Sequence, residues 1–248
     1  AQSDTRQLMQ IAEYVGADYS AAVANGEVIN EAEYSEMTEF SALAVEKTRQ
    51  LDNGQHALEA ALKLQQAVTN KQNPDVIHAI TVDLRNILIK LSPDVSLPSE
   101  LLPIQQVKQL YQQNCSACHG VMGQGDGTLA ASLDPTPTNF TDRDRAMNRS
   151  LIGLYDAITN GIEGTAMVAL SHLDEKQRWS LAFFAGSLAF QDHTGLATVP
   201  TAMTIQDFVS NSPQTLLNKY PTLDDDTVAQ LRSHPEPLFA SNDPLAMA

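Results

Sequence analysis

The chain has 248 residues, of which 43% are hydrophobic and 18% charged. That length suits two domains of about 100–150 residues better than one, and the apolar content excludes wholesale disorder. A formal net charge of -15 disfavours nucleic acid and anionic lipid headgroups, and the longest apolar run, 181–190, is far short of the roughly 20 residues of a spanning helix.

Residues 1–100 carry 15 acidic and 7 basic side chains and residues 101–248 carry 15 and 8, so the acidity belongs to both halves and not to a tail. It favours cations or basic partners, and it also serves plain solubility. Ala1-Gln2-Ser3 reads as the start of a mature chain after cleavage at a small residue.

In chain order, the first hundred residues read as four helices. Leu8, Ile11, Ala12, Val15 and Tyr19 fall at the 3-4 spacing of a buried stripe, which Asn25-Gly26 breaks. A second helix is expected over 31–51, ending at Asp52-Asn53-Gly54. The third carries Leu58, Ala61, Leu62 and Val68. Asn73-Pro74 opens the fourth as a cap followed by proline at the first helical position, and Ile77, Ile80, Leu84, Ile87, Leu88 and Leu91 form its apolar face. Helices of similar length with short turns form an up-down bundle most economically.

Pro93 and Pro98 rule out a continuous helix, which makes 93–100 a linker between a bundle at 1–92 and a second domain at 101–190. That domain opens on a short amphipathic helix with Ile104, Val107, Leu110 and Tyr111. Loops follow at 123–127 and 134–137, then helices at 150–159 and 174–188. Asp174 and Gln177 have the spacing of a capping box. Six prolines interrupt the region beyond Gln191, which reads as a helical tail or linker over 191–248. No strand pattern and no internal repeat appears, so the fold class is all-α.

One cluster names a chemistry. The two cysteines of the chain lie in Cys115-Ser116-Ala117-Cys118-His119, the C-x-x-C-H pattern of covalent haem c attachment. Two thiols three positions apart on a helical turn can add to the two vinyl groups of one porphyrin, and the histidine that follows projects onto the iron. A thioredoxin-like pair would need a βαβ setting, and zinc a second Cys/His pair at short spacing; neither pattern is present. One covalent haem c is therefore expected. Attachment by this motif generally takes place outside the cytoplasm, which points to export.

A helix, C-x-x-C-H, proline loops, a middle helix, an iron ligand and a last helix, over about 101–190, resemble the class I c-type cytochromes. The resemblance implies a methionine as second axial ligand on the loop before the last helix. Met167, in Gly164-Thr165-Ala166-Met167, holds that place, although Val168 stands where the family often has proline. Met147 and His172 are the other residues in range, whereas Met122 is too near His119 to reach the opposite face. Thioether sulfur favours Fe(II), and two protein ligands leave no open site, so electron transfer is expected over catalysis at the haem. The resemblance also implies a carbonyl near Pro135 or Pro137 on the His119 ring N–H. Asn139, Arg143, Arg145 and Trp179 are candidates for propionate contacts.

A narrower resemblance covers roughly 5–240. The stretches Glu13-Tyr14-Val15-Gly16-Ala17-Asp18-Tyr19, Asn25-Gly26-Glu27-Val28-Ile29-Asn30-Glu31-Ala32-Glu33-Tyr34 and Gly161-Ile162-Glu163-Gly164-Thr165-Ala166-Met167 resemble the extracytoplasmic part of bacterial cytochrome c/iron permease fusions. There a helical domain and a cytochrome c precede a multi-helix ferric-iron permease; the permease's Arg-Glu-x-x-Glu motif does not occur in these 248 residues. The resemblance implies a periplasmic electron-transfer module of iron uptake, accepting electrons from ferrous iron, with a redox protein, iron ions and a membrane permease as partners. The alternative is an electron carrier serving a dehydrogenase or terminal oxidase, with the bundle as docking domain. Glu33, Glu36 and Glu39, near Glu31, Tyr34, Glu13 and Asp18, offer hard oxygen ligands for a second iron site. The other reading of these carboxylates is a solvated surface at a helix start. His56 and His78 read as structural.

Overall fold

A computed structural model describes residues 2–91, 96–195 and 197–240, most of them helical. The chain divides into two compact units, 1–95 and 96–248.

The first unit begins with α1 (Gln2–Ala22), which places Leu8, Ile11, Ala12, Val15 and Tyr19 in the core as the spacing requires. Asn25-Gly26 does more than end this helix. Both residues have positive φ, the conformation of a type I′ turn, and they fold Val23–Ala24 (β1) against Glu27–Val28 (β2). This two-residue ladder corrects the strand-free expectation; a pairing so short leaves no alternation to read.

Helix α2 (Glu31–Thr48) starts on Asn30, whose side chain accepts from the backbone N–H groups of Ala32 and Glu33. It stops at Thr48, short of the expected 51, and the turn through Asp52 and Gly54 takes the remaining residues. Helices α3 (Gln55–Thr69) and α4 (Pro74–Leu91) complete the bundle. Each helix packs on its sequence neighbours, and α1 closes the ring on α4, as in an up-down bundle.

The seam of α3 is built from small residues. Ala57, Ala60, Ala61 and Ala67 are buried beside Leu64 and Val68, whereas Leu62 and, on α4, Leu91 are exposed. Small side chains let helices approach closely, and Gly16 of α1 shows how closely: a Cβ there would lie 2.4 Å from Thr81 Oγ1 of α4. The interior also holds an ion pair, Glu13 of α1 with Arg85 of α4 at 3.2 Å, both side chains buried.

In the second unit, α5 (Ile104–Asn114) crosses α9 (Glu175–Ser187), with Tyr111 edge-on to Phe184 at 5.1 Å. Helix α8 (Leu151–Asn160) packs on α9, where Tyr155 stacks on the buried Trp179 at 4.1 Å. The expected capping box opens α9: Asp174 accepts from the Gln177 N–H and Gln177 answers at the Asp174 N–H. Between α5 and α8 lie the short α6 (Ser116–His119), a 3-10 turn at Ala130–Ser132 and α7 (Arg143–Met147).

The expected linker at 93–100 falls partly outside the described residues, at 93–95. Its remainder is not free. Trp179 Nε1 donates to the Ser96 carbonyl at 3.0 Å, Lys176 pairs with Glu100, and the Leu102 N–H donates to Ser180 Oγ at 2.9 Å. Residues 96–102 thus lie along α9, because a buried indole N–H requires an acceptor and Ser96 supplies it. The same bond removes Trp179 from the candidates for propionate contacts.

The tail, as far as residue 240, is not a linker either. Helices α10 (Ile205–Ser210), α11 (Pro213–Lys219), α12 (Asp225–Ser233) and α13 (Glu236–Ala240) follow a 3-10 turn at Leu188–Phe190. They pack on α7, α8 and α9 and bury Phe208, Val209, Leu216, Val228 and Leu231. Thr204, Ser212 and Asp224 cap the first three; Pro200, Pro221 and Pro235 sit between helices, and Pro213 and Pro237 in the first turns of α11 and α13.

Candidate haem site

The C-x-x-C-H turn is set by its own loop. Helix α5 ends at Asn114, Cys115 adopts φ -122°, and α6 restarts at Ser116, which puts both thiols and the imidazole on one short turn. The last carbonyls of a helix have no intrahelical partner. Here the glycine loop returns to satisfy them: Gly125 N–H donates to the His119 carbonyl at 2.8 Å, Gly127 N–H to Cys118 at 3.1 Å and Leu129 N–H to Ala117 at 2.9 Å. The approach demands glycine, since a Cβ on residue 127 would meet the Ala117 carbonyl oxygen at 2.3 Å. Tyr111 adds a side-chain bond, its hydroxyl donating to the Gly120 carbonyl at 3.0 Å.

His119 is held on two sides. Its Nδ1–H donates to the Thr138 carbonyl at 3.1 Å, one residue beyond Pro137, and its ring stacks on Phe140 at 4.5 Å. A bond of this kind fixes the tautomer and leaves Nε2 with its lone pair for a metal. Burial holds the imidazole below its usual pKa range; the Thr138 bond opposes this and the charge of Arg145 adds to it. Both cysteines are free thiols, and burial, with the neighbouring Cys118, pushes Cys115 up to about 12. A neutral imidazole, two paired thiols and a carbonyl-anchored ring nitrogen are the donor set haem c requires, and these residues fit it.

Met167 lies on the loop between α8 and α9, half-buried. The loop is closed by its own bonds: Ile162 N–H to the Met167 carbonyl at 2.8 Å, and Met167 N–H to Thr165 Oγ1 at 3.1 Å. Gly161 makes this possible, with φ +70° and with its absent Cβ only 2.6 Å from the Met167 carbonyl oxygen. Of the rivals, Met147 ends α7, Met122 is exposed, and His172 is exposed with Nε2 at 3.0 Å from Asn114 Oδ1.

Asn139 Oδ1 accepts from Thr141, and the Arg143 guanidinium lies over the Phe190 ring at 5.1 Å. Arg145 stands on a cavity wall with Thr138 and Phe140. The Thr138 carbonyl, next to Pro137, is where the resemblance expects a carbonyl on the His119 ring, whereas Phe140 was not singled out by sequence. The signal was slight, a proline loop followed by an aromatic residue, and only the return of that loop onto His119 gives it meaning.

Among the described residues no group of three His, Cys, Asp or Glu side chains is placed to hold a metal ion. Glu36 accepts from the Tyr14 hydroxyl at 3.3 Å, Glu39 is exposed, and Glu33 is half-buried on the first turn of α2. Glu13 and Asp18 are buried, the former against Arg85, so neither belongs with the surface carboxylates. His56 is exposed beside Glu59, and burial lowers the pKa of His78.

A four-helix bundle in front of a helical unit with a C-x-x-C-H turn, a proline-loop carbonyl on its histidine and a methionine loop before the last long helix defines a bundle–cytochrome c fusion. The profile of the iron permease-associated 4-helix bundle domain matches residues 1–124, and that of cytochrome c matches residues 104–189. The chain belongs to the family of the iron permease-associated 4-helix bundle domain, here fused to a cytochrome c domain that binds haem c through cysteines spaced as Cys115 and Cys118 are. No curated protein matches it. Among solved structures, a chain of the reducing HAO-like protein complex of Kuenenia stuttgartiensis matches at 26% identity with a TM-score of 0.33. The match covers 44% of this chain and 53% of that one, so this chain spans about half the length of that relative. No helix among the described residues is long and apolar enough to cross a membrane.

Proposed function

We propose that this chain is a periplasmic electron-transfer module that accepts electrons from ferrous iron beside a membrane iron permease and passes them to a redox partner protein. The observation that carries the reading is the fusion itself, an iron permease-associated bundle in one chain with a haem c turn. Haem c, one per chain, supplies a one-electron Fe(III)/Fe(II) couple. Cys115 and Cys118 would anchor it, and His119 and Met167 would hold its iron. Thr138 and Phe140 keep the His119 ring aimed, and Gly161 lets the loop close on the Met167 carbonyl; a thioether ligand from Met167 would raise the potential.

The haem would supply a one-electron acceptor, so that one ferrous ion would leave as ferric iron for each haem reduced. The acidic bundle surface, including Glu33, Glu36 and Glu39, raises the local concentration of the cation, and carboxylate oxygens prefer Fe(III) to Fe(II), which favours the loss of the electron.

Anaerobic mixing of the oxidised protein with ferrous iron tests this, read in the haem absorbance. Reduction is expected, slower when Glu33, Glu36 and Glu39 are all changed to Gln. A defect that vanishes at high salt indicates steering by the acidic surface; one that persists indicates a specific site. If ferrous iron never reduces the wild type, the protein is instead an electron carrier for a dehydrogenase or oxidase.

A further inference from the structure

Helix α12 belongs to the part of the chain beyond the cytochrome c match, yet it sends a charged side chain into the core of the second unit. Arg232 is 1% exposed. Its slot exists because residue 186 of α9 is glycine: a Cβ there would lie 2.8 Å from Arg232 Nη1. Arg232 Nη2 donates to the carbonyl oxygen of Arg149, just before the Ser150 cap of α8, and its guanidinium lies 5.9 Å from the Phe208 ring of α10. Arg149 is itself buried. Arg232, Arg149 and Arg145 share the wall of one cavity with Thr138 and Phe140, the two residues that hold His119, and with Asp142.

Docking a helix does not require this. A buried guanidinium costs several kcal/mol of desolvation, and an apolar side chain of similar volume would fill the slot more cheaply. A fixed positive charge has a specific effect near a haem, however. Reduction removes one positive charge from the iron, so a cation held in a poorly screened interior favours the reduced form.

We propose that Arg232 tunes the reduction potential: the extension places its positive charge on the cavity wall behind His119, where that charge holds haem c toward Fe(II). Arg232 touches neither iron nor its ligands, so it is a positioning and charge-bearing residue. The proposal rests on the reading of His119 as the iron ligand.

The test is a spectroelectrochemical titration of the full chain carrying haem c, comparing wild type with Arg232→Gln and Arg232→Lys. At the wild-type midpoint, Arg232→Gln is expected to lower the ratio of reduced to oxidised haem by about threefold to tenfold; tenfold corresponds to about 59 mV for one electron. Arg232→Lys keeps the charge and should stay within about twofold of wild type, while losing thermal stability with the Arg149 bond. An unchanged ratio in Arg232→Gln overturns the proposal, as does an equal fall in Arg232→Lys, which would mean packing and not charge. If Arg232→Gln does not fold, Arg145→Gln on the same wall decides: a fall supports control of the potential by charge on this wall and no change overturns it. Wild type without covalent haem would overturn the haem reading and this proposal together, whereas haem present at an unchanged potential overturns this proposal alone.

Discussion

Two single glycines show how much of the haem site depends on backbone clearance. Gly127 lets the loop return onto the Ala117 carbonyl, and Gly161 both caps α8 in a left-handed conformation and admits the Met167 carbonyl where a Cβ would stand. Any side chain at 161 meets backbone, which cannot swing aside as a flexible side chain can. Gly161→Ala is therefore expected to displace the methionine loop while Cys115, Cys118 and His119 keep their turn. The haem should remain covalently attached through denaturation, but the weak far-red sulfur-to-iron absorption of the oxidised form should fall and imidazole should bind. Gly161→Ala with that absorption intact would remove Met167 as the sixth ligand. A second measurement at this scale checks the anchor itself: Cys115→Ser with Cys118→Ser should leave haem that extracts into acid organic solvent.

At the scale of elements, the bundle is held by an alanine-rich seam and by a buried charged tie, and the two respond differently to mutation. Glu13 and Arg85 join α1 to α4 inside the core. Removing one partner of a buried pair leaves the other charge without compensation and costs about 3–5 kcal/mol, whereas replacing both with apolar groups is often neutral. Arg85→Met should accordingly lower the stability of the first unit by about that amount, and Glu13→Leu with Arg85→Met should recover most of it. Urea unfolding followed by helical circular dichroism measures both. Equal losses in the single and double variants would mean that these side chains matter through packing alone.

On the scale of the whole molecule, the division at 95/96 and the absence of strand pairing beyond the short β1–β2 ladder among the described residues predict separable folding. Residues 1–95 made alone should form a haem-free helical domain with a cooperative transition. Residues 96–248, made with the haem-attachment machinery, should bind haem. The start at 96 matters: a chain begun at 103 would lose the Ser96 carbonyl on Trp179 and the Leu102 bond to Ser180, and is expected to melt lower than one begun at 96. Identical melting of the two would show that the 96–102 strap adds nothing.

What the sequence determined by itself was local. The C-x-x-C-H spacing, the heptad-like stripe of α1, the Asn-Pro start of α4 and the Asp174–Gln177 capping box each depend on residues within a turn or two, so their patterns are readable in one dimension. Tertiary structure decided whatever depends on residues far apart in the chain. It put Phe140 on His119, and the Ser96 carbonyl on Trp179. It turned the proline-broken tail into four packed helices, one of which carries Arg232 into the core. It also separated Glu13 and Asp18, which the sequence sets near the surface carboxylates, by burying them. The reason is physical: periodicity and caps report short-range geometry, while a buried N–H or guanidinium takes its acceptor from whichever segment the packing brings near, and no local pattern records that segment.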